Sequence, residues 1–174
     1  GVDPHFSPGG GHGDYLLFVG AIQRRKDPLA ALVAARTVGL PLVVVGPEKD
    51  PALASELRRR GARLEGYVET EELAKLYRAA ACLVQSSRYE GFGLPVLEAM
   101  ASGTPVVAVH DAALREVAGE AAVFVDETRL ADGIRRAIDE RDSLSAAGRQ
   151  RAQAFSWRAA AERTLAVYRE LLDA

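Results

Sequence analysis

Two short stretches of the chain carry residue types that could do chemistry together. Glu90-Gly91-Phe92-Gly93-Leu94-Pro95-Val96-Leu97-Glu98-Ala99-Met100 sets two glycines between two carboxylates, with an apolar helical pattern starting at Pro95. Bare backbone N–H groups at a helix start, backed by the positive end of the helix dipole, suit a phosphate. Glu90 stands at the entrance of the loop and Glu98 one turn into the helix. Helical Cβ atoms tilt toward the N-terminus, so the Glu98 carboxylate can lean back to the same loop and accept hydrogen bonds from vicinal sugar hydroxyls. A simpler role for Glu98 is to complement the helix dipole, and spacing alone does not separate the two. The second stretch is Arg24-Arg25-Lys26. Three successive cations there would face an anionic ligand, although a charge run is more often a solvated loop.

These residues need a scaffold, and the rest of the chain supplies its pattern. Tyr15–Gly20, Leu42–Val45, Arg63–Leu64, Cys82–Gln85, Pro105–Val109 and Ala122–Val125 read as strands, several of them continuous apolar runs. Between them lie helical patterns. Asp27-Pro28 and Asp50-Pro51 each give an N-cap followed by proline at the first helical position. Further helices are read over Thr70–Ala80, Pro95–Gly103, Asp111–Ala118, Thr128–Glu140, Ser143–Ala154 and Trp157–Leu172. Strand–helix alternation with uniformly apolar strands predicts a parallel sheet covered on both faces. The expected fold is a three-layer α/β/α, Rossmann-like doubly wound parallel sheet of about six strands. Ligands of such sheets sit beyond the carboxyl ends of the strands, where both stretches fall. Residues 1–14, rich in glycine and proline, read as an entry segment, residues 15–155 as the domain body and residues 156–174 as a final helix.

Composition narrows the classes. The 174 residues are 48% hydrophobic and 26% charged, ordinary values for one globular domain. Lys+Arg of 22 against Asp+Glu of 24 gives a net charge of −2, which argues against a dedicated nucleic-acid binder. The single cysteine, Cys82, permits no intrachain disulfide and reads as a small core residue. No apolar run reaches the roughly 18 residues of a membrane span, and no signal-peptide pattern opens the sequence. His5 and His12 read as solvated, His110 at a strand's carboxyl end as a structural residue before a site-edge one, and Trp157 and Tyr168 as packing residues, within this chain or, with the final helix, against a further domain.

The Glu90–Glu98 stretch resembles the E-x7-E signature of retaining glycosyltransferases of the GT-B fold, family 4. The likeness extends in order along nearly the whole chain. Gly1-Val2-Asp3-Pro4 resembles the hinge entering the second domain of these enzymes, and Phe18–Asp27 (FVGAIQRRKD) their first strand and phosphate loop. Gly66-Tyr67-Val68, with Glu72-Leu73 and Leu76-Tyr77, is similar to their base-binding segment and its helix. Glu98–Val107 is close to the family consensus, and Phe155-Ser156-Trp157 resembles the turn before the last helix. Two positions depart from the pattern. Ala21 stands where many members have an arginine, and Leu114-Arg115-Glu116 where they have Leu-Pro-Glu.

The resemblance implies a donor-binding, C-terminal half of a hexosyltransferase-type enzyme, whose acceptor half would be a separate N-terminal domain. It implies that Glu98 binds the ribose hydroxyls and that Glu90 lies against the donor sugar and leaving group. The backbone amides of Gly91, Phe92, Gly93 and Leu94 would meet sugar and diphosphate, with Gly20 beside them. Lys26 and Arg25 would neutralise the diphosphate, and Tyr67 and Val68 would line the base. The partner is then a nucleoside-diphosphate sugar. With no Asp-x-Asp motif in the chain, no obligatory metal and no cofactor are expected. The expected location is the cytoplasm, with any contact to the inner membrane face made through the acceptor half. An oxidoreductase reading fails, because Gly9–Gly13 precede the first strand and Val96 stands where a third loop glycine would be needed. A non-catalytic nucleotide-binding or interaction module is the alternative.

Overall fold

The computed structural model describes residues 1–11 and 13–172; His12 and residues 173–174 lie outside the described residues. Six parallel strands form one sheet: β1 (Leu16–Val19), β2 (Leu42–Val45), β3 (Arg63–Gly66), β4 (Cys82–Gln85), β5 (Val106–Val109) and β6 (Val123–Val125). Their order is β3-β2-β1-β4-β5-β6. The chain therefore winds outward from β1 in one direction and from β4 in the other, and the expected doubly wound sheet is observed.

The four central strands are buried along their whole length, which accounts for their apolar sequences, broken only by Gln85 at the end of β4. Alternate side chains go to opposite faces. Leu16 and Phe18 pack with α1 (Pro28–Val38), α2 (Pro51–Arg59) and α6 (Leu130–Asp139). Leu17 and Val19 pack with α3 (Thr70–Ala79), α4 (Leu94–Ala101), α5 (Ala112–Ala118) and α7 (Arg141–Gln153). Phe6 of the entry segment joins the second face and is itself buried. Cys82 is fully buried, and burial pushes its thiol up to about 12.

Helix starts follow the local signals. Asp27, Asp50 and Asp111 each accept a backbone N–H three residues on, from Ala30, Leu53 and Leu114. Among the boundaries that differ from the sequence expectation, three helix starts have a local cause. α4 begins at Leu94 rather than Pro95, because Gly93 takes a left-handed N-cap conformation with φ 101°. Glu127–Arg129 is a 3-10 turn, so α6 begins at Leu130. α7 begins at Arg141, since only Glu140 separates it from α6. The last helix, α8 (Trp157–Leu172), has no buried residue. Trp157 and Tyr168 are exposed on it. Among the described residues, no helix is long and apolar enough to cross a membrane.

Candidate active site

The site is built where the strand order reverses. β1 pairs with β2 along all four residues, from Leu16 opposite Leu42 to Val19 opposite Val45. It pairs with β4 only at Leu16–Cys82 and Leu17–Leu83. Beyond those pairs the ladder between the two strands ends, and their carboxyl ends frame the position of the crevice in which doubly wound sheets bind ligands. Its β1–β2–β3 flank is nearly bare backbone. The Gly20 N–H donates to the Val45 carbonyl at 2.9 Å, and the Gly46 N–H to the Gly66 carbonyl at 2.7 Å. A Cβ on Gly46 would lie 2.3 Å from the Gly20 oxygen, so only glycine allows the loops after β1 and β2 to approach this closely.

Across the crevice, the loop after β1 is stitched to the loop after β4. Arg24–Lys26, expected as an open loop, is a 3-10 turn. Lys26 Nζ lies 2.6 Å from both carboxylate oxygens of Glu90. The pair is largely withdrawn from water, with side chains 14% and 7% exposed. Gln85, at the end of β4, donates its Nε2 to Glu90 Oε1 at 2.5 Å and to Ser87 Oγ at 3.0 Å. The Glu90 backbone N–H donates to Asp111 Oδ2 at 3.3 Å. Arg25 donates to the Tyr89 carbonyl, the Arg88 N–H donates to the Arg25 carbonyl at 3.0 Å, and Ser86 Oγ donates to the Asp27 carbonyl at 2.7 Å. A buried ion pair survives desolvation only with close geometry and further hydrogen bonds, and both are present here. Such a carboxylate is ill suited to act as a free base.

Glu98 stands in a different setting. It is half-buried on α4, and Oε2 accepts from the Tyr77 hydroxyl at 2.9 Å. Burial pushes the Glu98 carboxyl above the ordinary glutamate value, while the bond from Tyr77 pulls it back. Between the two glutamates, Gly91 and Phe92 are exposed and no side chain caps the N-terminus of α4. A Cβ on Gly93 would meet Leu114 Cδ2 at 2.6 Å, and its φ also favours glycine, so the loop geometry depends on it.

The remaining expected residues fall as follows. The three cations do not converge. Lys26 turns to Glu90, Arg25 to the Tyr89 carbonyl, and Arg24 points to solvent, with Asp50 at 3.8 Å. Tyr67 is exposed and Val68 half-buried just beyond the edge strand β3. His110 is held away from this cluster, against the Phe124 ring and 2.8 Å from an Arg115 nitrogen. His5 is solvated and bonds Asp3. Three residues at the site are not among the expected site residues: Gln85, Tyr77 and Asp111. Gln85 was the most visible, as an amide ending an otherwise apolar buried strand.

The chain is similar to known proteins in sequence and in fold. The family model described as glycosyl transferases group 1 matches residues 9–154. O-antigen chain mannosyltransferase B of Escherichia coli is 34% identical over 176 residues, covering 90% of this chain and 46% of that protein. A D-inositol 3-phosphate glycosyltransferase of Frankia alni is 37% identical over 188 residues, covering 92% and 46%. The chain thus spans about half the length of the curated relatives it matches. Among solved structures, sucrose-phosphate synthase from Thermosynechococcus elongatus superposes with a TM-score of 0.80 at 28% identity, over 92% of this chain and 46% of that one. The C-terminal domain of a group 1 family protein, LpcC, from Francisella tularensis shares the fold with a TM-score of 0.73 at 23% identity, over 88% of this chain and 97% of that domain. The family match runs through all six strands, the 3-10 turn with Lys26 and both glutamates, and the chain belongs to the group 1 glycosyltransferase family.

Proposed function

We propose that this chain is the donor-binding half of a retaining glycosyltransferase, which moves a sugar from a nucleoside diphosphate to an acceptor bound by a second domain. The observation that carries the reading is the Lys26–Glu90 pair at the β1–β4 crevice, beside the uncapped N-terminus of α4. Breaking a sugar–phosphate bond leaves negative charge on the departing diphosphate and oxocarbenium character on the sugar. Lys26, with Arg25 and the α4 amides, stabilises the leaving group, the kind of electrostatic term that usually dominates catalysis. Glu90, released as Lys26 turns to phosphate, lies against the sugar. The Gly91–Leu94 backbone and Gly20 border the sugar and diphosphate, Glu98 takes the ribose hydroxyls, and Tyr67 and Val68 line the base. No step of this scheme calls for a divalent metal. The two glutamates bind and orient the donor rather than serve as a hydrolytic acid and base.

Two domains must close to exclude water and align donor with acceptor, so this chain alone binds donor without transferring sugar. The whole enzyme works in the cytoplasm and meets the inner membrane face, if at all, through its acceptor half. The test is isothermal titration of the chain with UDP, GDP, ADP and NAD, followed by a transfer assay with and without an acceptor domain. Binding of a nucleoside diphosphate but not NAD, with no transfer by the chain alone, is expected. NAD binding in preference, or transfer by the chain alone, overturns the reading. Persistent lack of transfer with the acceptor domain restored favours a non-catalytic module.

A further inference from the structure

We propose that Tyr77 is a positioning residue for the donor's ribose: its hydroxyl holds Oε2 of Glu98 and leaves Oε1 as the oxygen offered to the sugar. This rests on the reading of Glu98 as the ribose ligand. The geometry starts with Tyr77 itself, which is fully buried. Its ring meets Phe6 edge-on at 5.7 Å, and its carbonyl accepts from Thr104 Oγ1 at 2.6 Å. The residue is therefore held at both ring and backbone, and its hydroxyl points from a fixed place. That hydroxyl bonds only Glu98 among the described residues, at 2.9 Å, and Glu98 Oε1 has no partner among them. A free glutamate would sample several rotamers. This one is tethered by one oxygen, so less side-chain freedom remains to be lost when a ligand takes the other.

Among the described residues, no other charged group on the neighbouring elements is engaged with Glu98. On α3, Lys75 pairs with Glu72, and Arg78 donates to the carbonyls of His5 and Ser7. On α5, Arg115 bonds His110 and lies over Phe124. On α7, Arg151 donates to the carbonyls of Glu116 and Val117 and lies over Phe155. Orientation of the Glu98 carboxylate thus falls to the phenol.

A purely structural tyrosine, one whose hydroxyl merely needs a buried partner, would cost stability on removal and leave ligand preference alone. The experiment compares wild type, Tyr77→Phe and Glu98→Gln. The tightest binder among UDP, GDP and ADP is titrated against its 2′-deoxy counterpart. Tyr77→Phe is expected to lower the ribo-over-deoxyribo preference about three- to tenfold, with deoxy affinity unchanged. In the ligand-free chain, the Glu98 carboxyl titration followed by carbon-13 NMR is expected to move to higher pH, because the bond that favours its ionised form is gone. Phe6→Leu loosens the ring without touching the hydroxyl; it should shift the preference the same way by less, and it stands in if Tyr77→Phe does not fold. A ribose preference lost in Glu98→Gln but intact in folded Tyr77→Phe, or in Phe6→Leu as its stand-in, overturns the role of Tyr77 alone. A preference intact in Glu98→Gln, or no binding of any of the three diphosphates, overturns the ribose reading and this inference together.

Discussion

Glu90 and Glu98 flank one short glycine loop, but their surroundings differ in kind. Around Glu90 the chain assembles an ammonium, an amide and, at its backbone, a second carboxylate. Around Glu98 it provides a neutral phenol. Burial acts on both, yet only one has its charge compensated. A buried carboxylate with a close cation is costly to disturb, because removing either partner strands the other. A half-buried carboxylate with a neutral donor is held more loosely, and its ionised form is disfavoured by burial. The lesson is that a symmetric-looking motif can hold a preloaded ion pair at one end and a tethered hydrogen-bond acceptor at the other.

The contrast can be broken most forcefully at Lys26. Lys26→Met keeps an apolar stem but leaves the Glu90 charge without a counter-ion. Urea unfolding should show a loss of about 3 kcal/mol, the low end for a broken buried pair. Adding Glu90→Gln to the same chain should restore most of it. If the double variant is no more stable than the single, the ion pair is not what Lys26 contributes. The same single variant should weaken nucleoside diphosphate binding more than nucleoside binding, with the gap narrowing at high salt.

A smaller effect is expected at Gln85. Gln85→Leu removes the amide bond to Glu90, but it also removes Oε1, which is buried without a partner. The two changes offset, leaving a net loss of about 1 kcal/mol by the same unfolding measurement. A loss as large as that of Lys26→Met would mean that the amide, rather than the ammonium, anchors Glu90.

The smallest effect belongs to Glu98. Its folded carboxyl titrates above its ordinary value of 4.5, so the folded chain holds the proton more tightly than the unfolded chain. That favours the fold below the ordinary value and is lost as pH rises through the folded one. Glu98→Gln does not titrate. Wild type should therefore lose stability relative to Glu98→Gln as pH climbs above 4.5, and level off above the folded value. A difference that stays flat from pH 4 to 8 would show that burial does not bear on Glu98.

How much of this was legible beforehand follows from distance along the chain. LLFV, LVVV, CLVQ and VVAV announce buried strands, and Asp-Pro pairs announce two helix starts, because each signal is local. The pairing of Lys26 with Glu90 spans 64 residues and exists only because β1 and β4 are neighbours. The sequence pattern placed both residues on the same sheet edge but could not say that they would meet. Tyr77 and Glu98 lie on different helices, 21 residues apart, and nothing in the helical spacing of α3 aims the hydroxyl at α4. The start of α4 shifted because a left-handed Gly93 is a backbone event packed against Leu114, which no propensity encodes.

The central strand β4 also has a practical side. Maleimides and similar reagents attack the thiolate, and Cys82 combines full burial with a thiol raised to about 12. The native chain is therefore chemically silent toward such probes at neutral pH, and should take up one equivalent only when unfolded. A cysteine introduced at Tyr89, whose side chain is exposed on the rim of the crevice loop, would be the sole reactive thiol of the folded molecule. A fluorophore attached there could report ligand entry in real time, with no need to replace the native cysteine first.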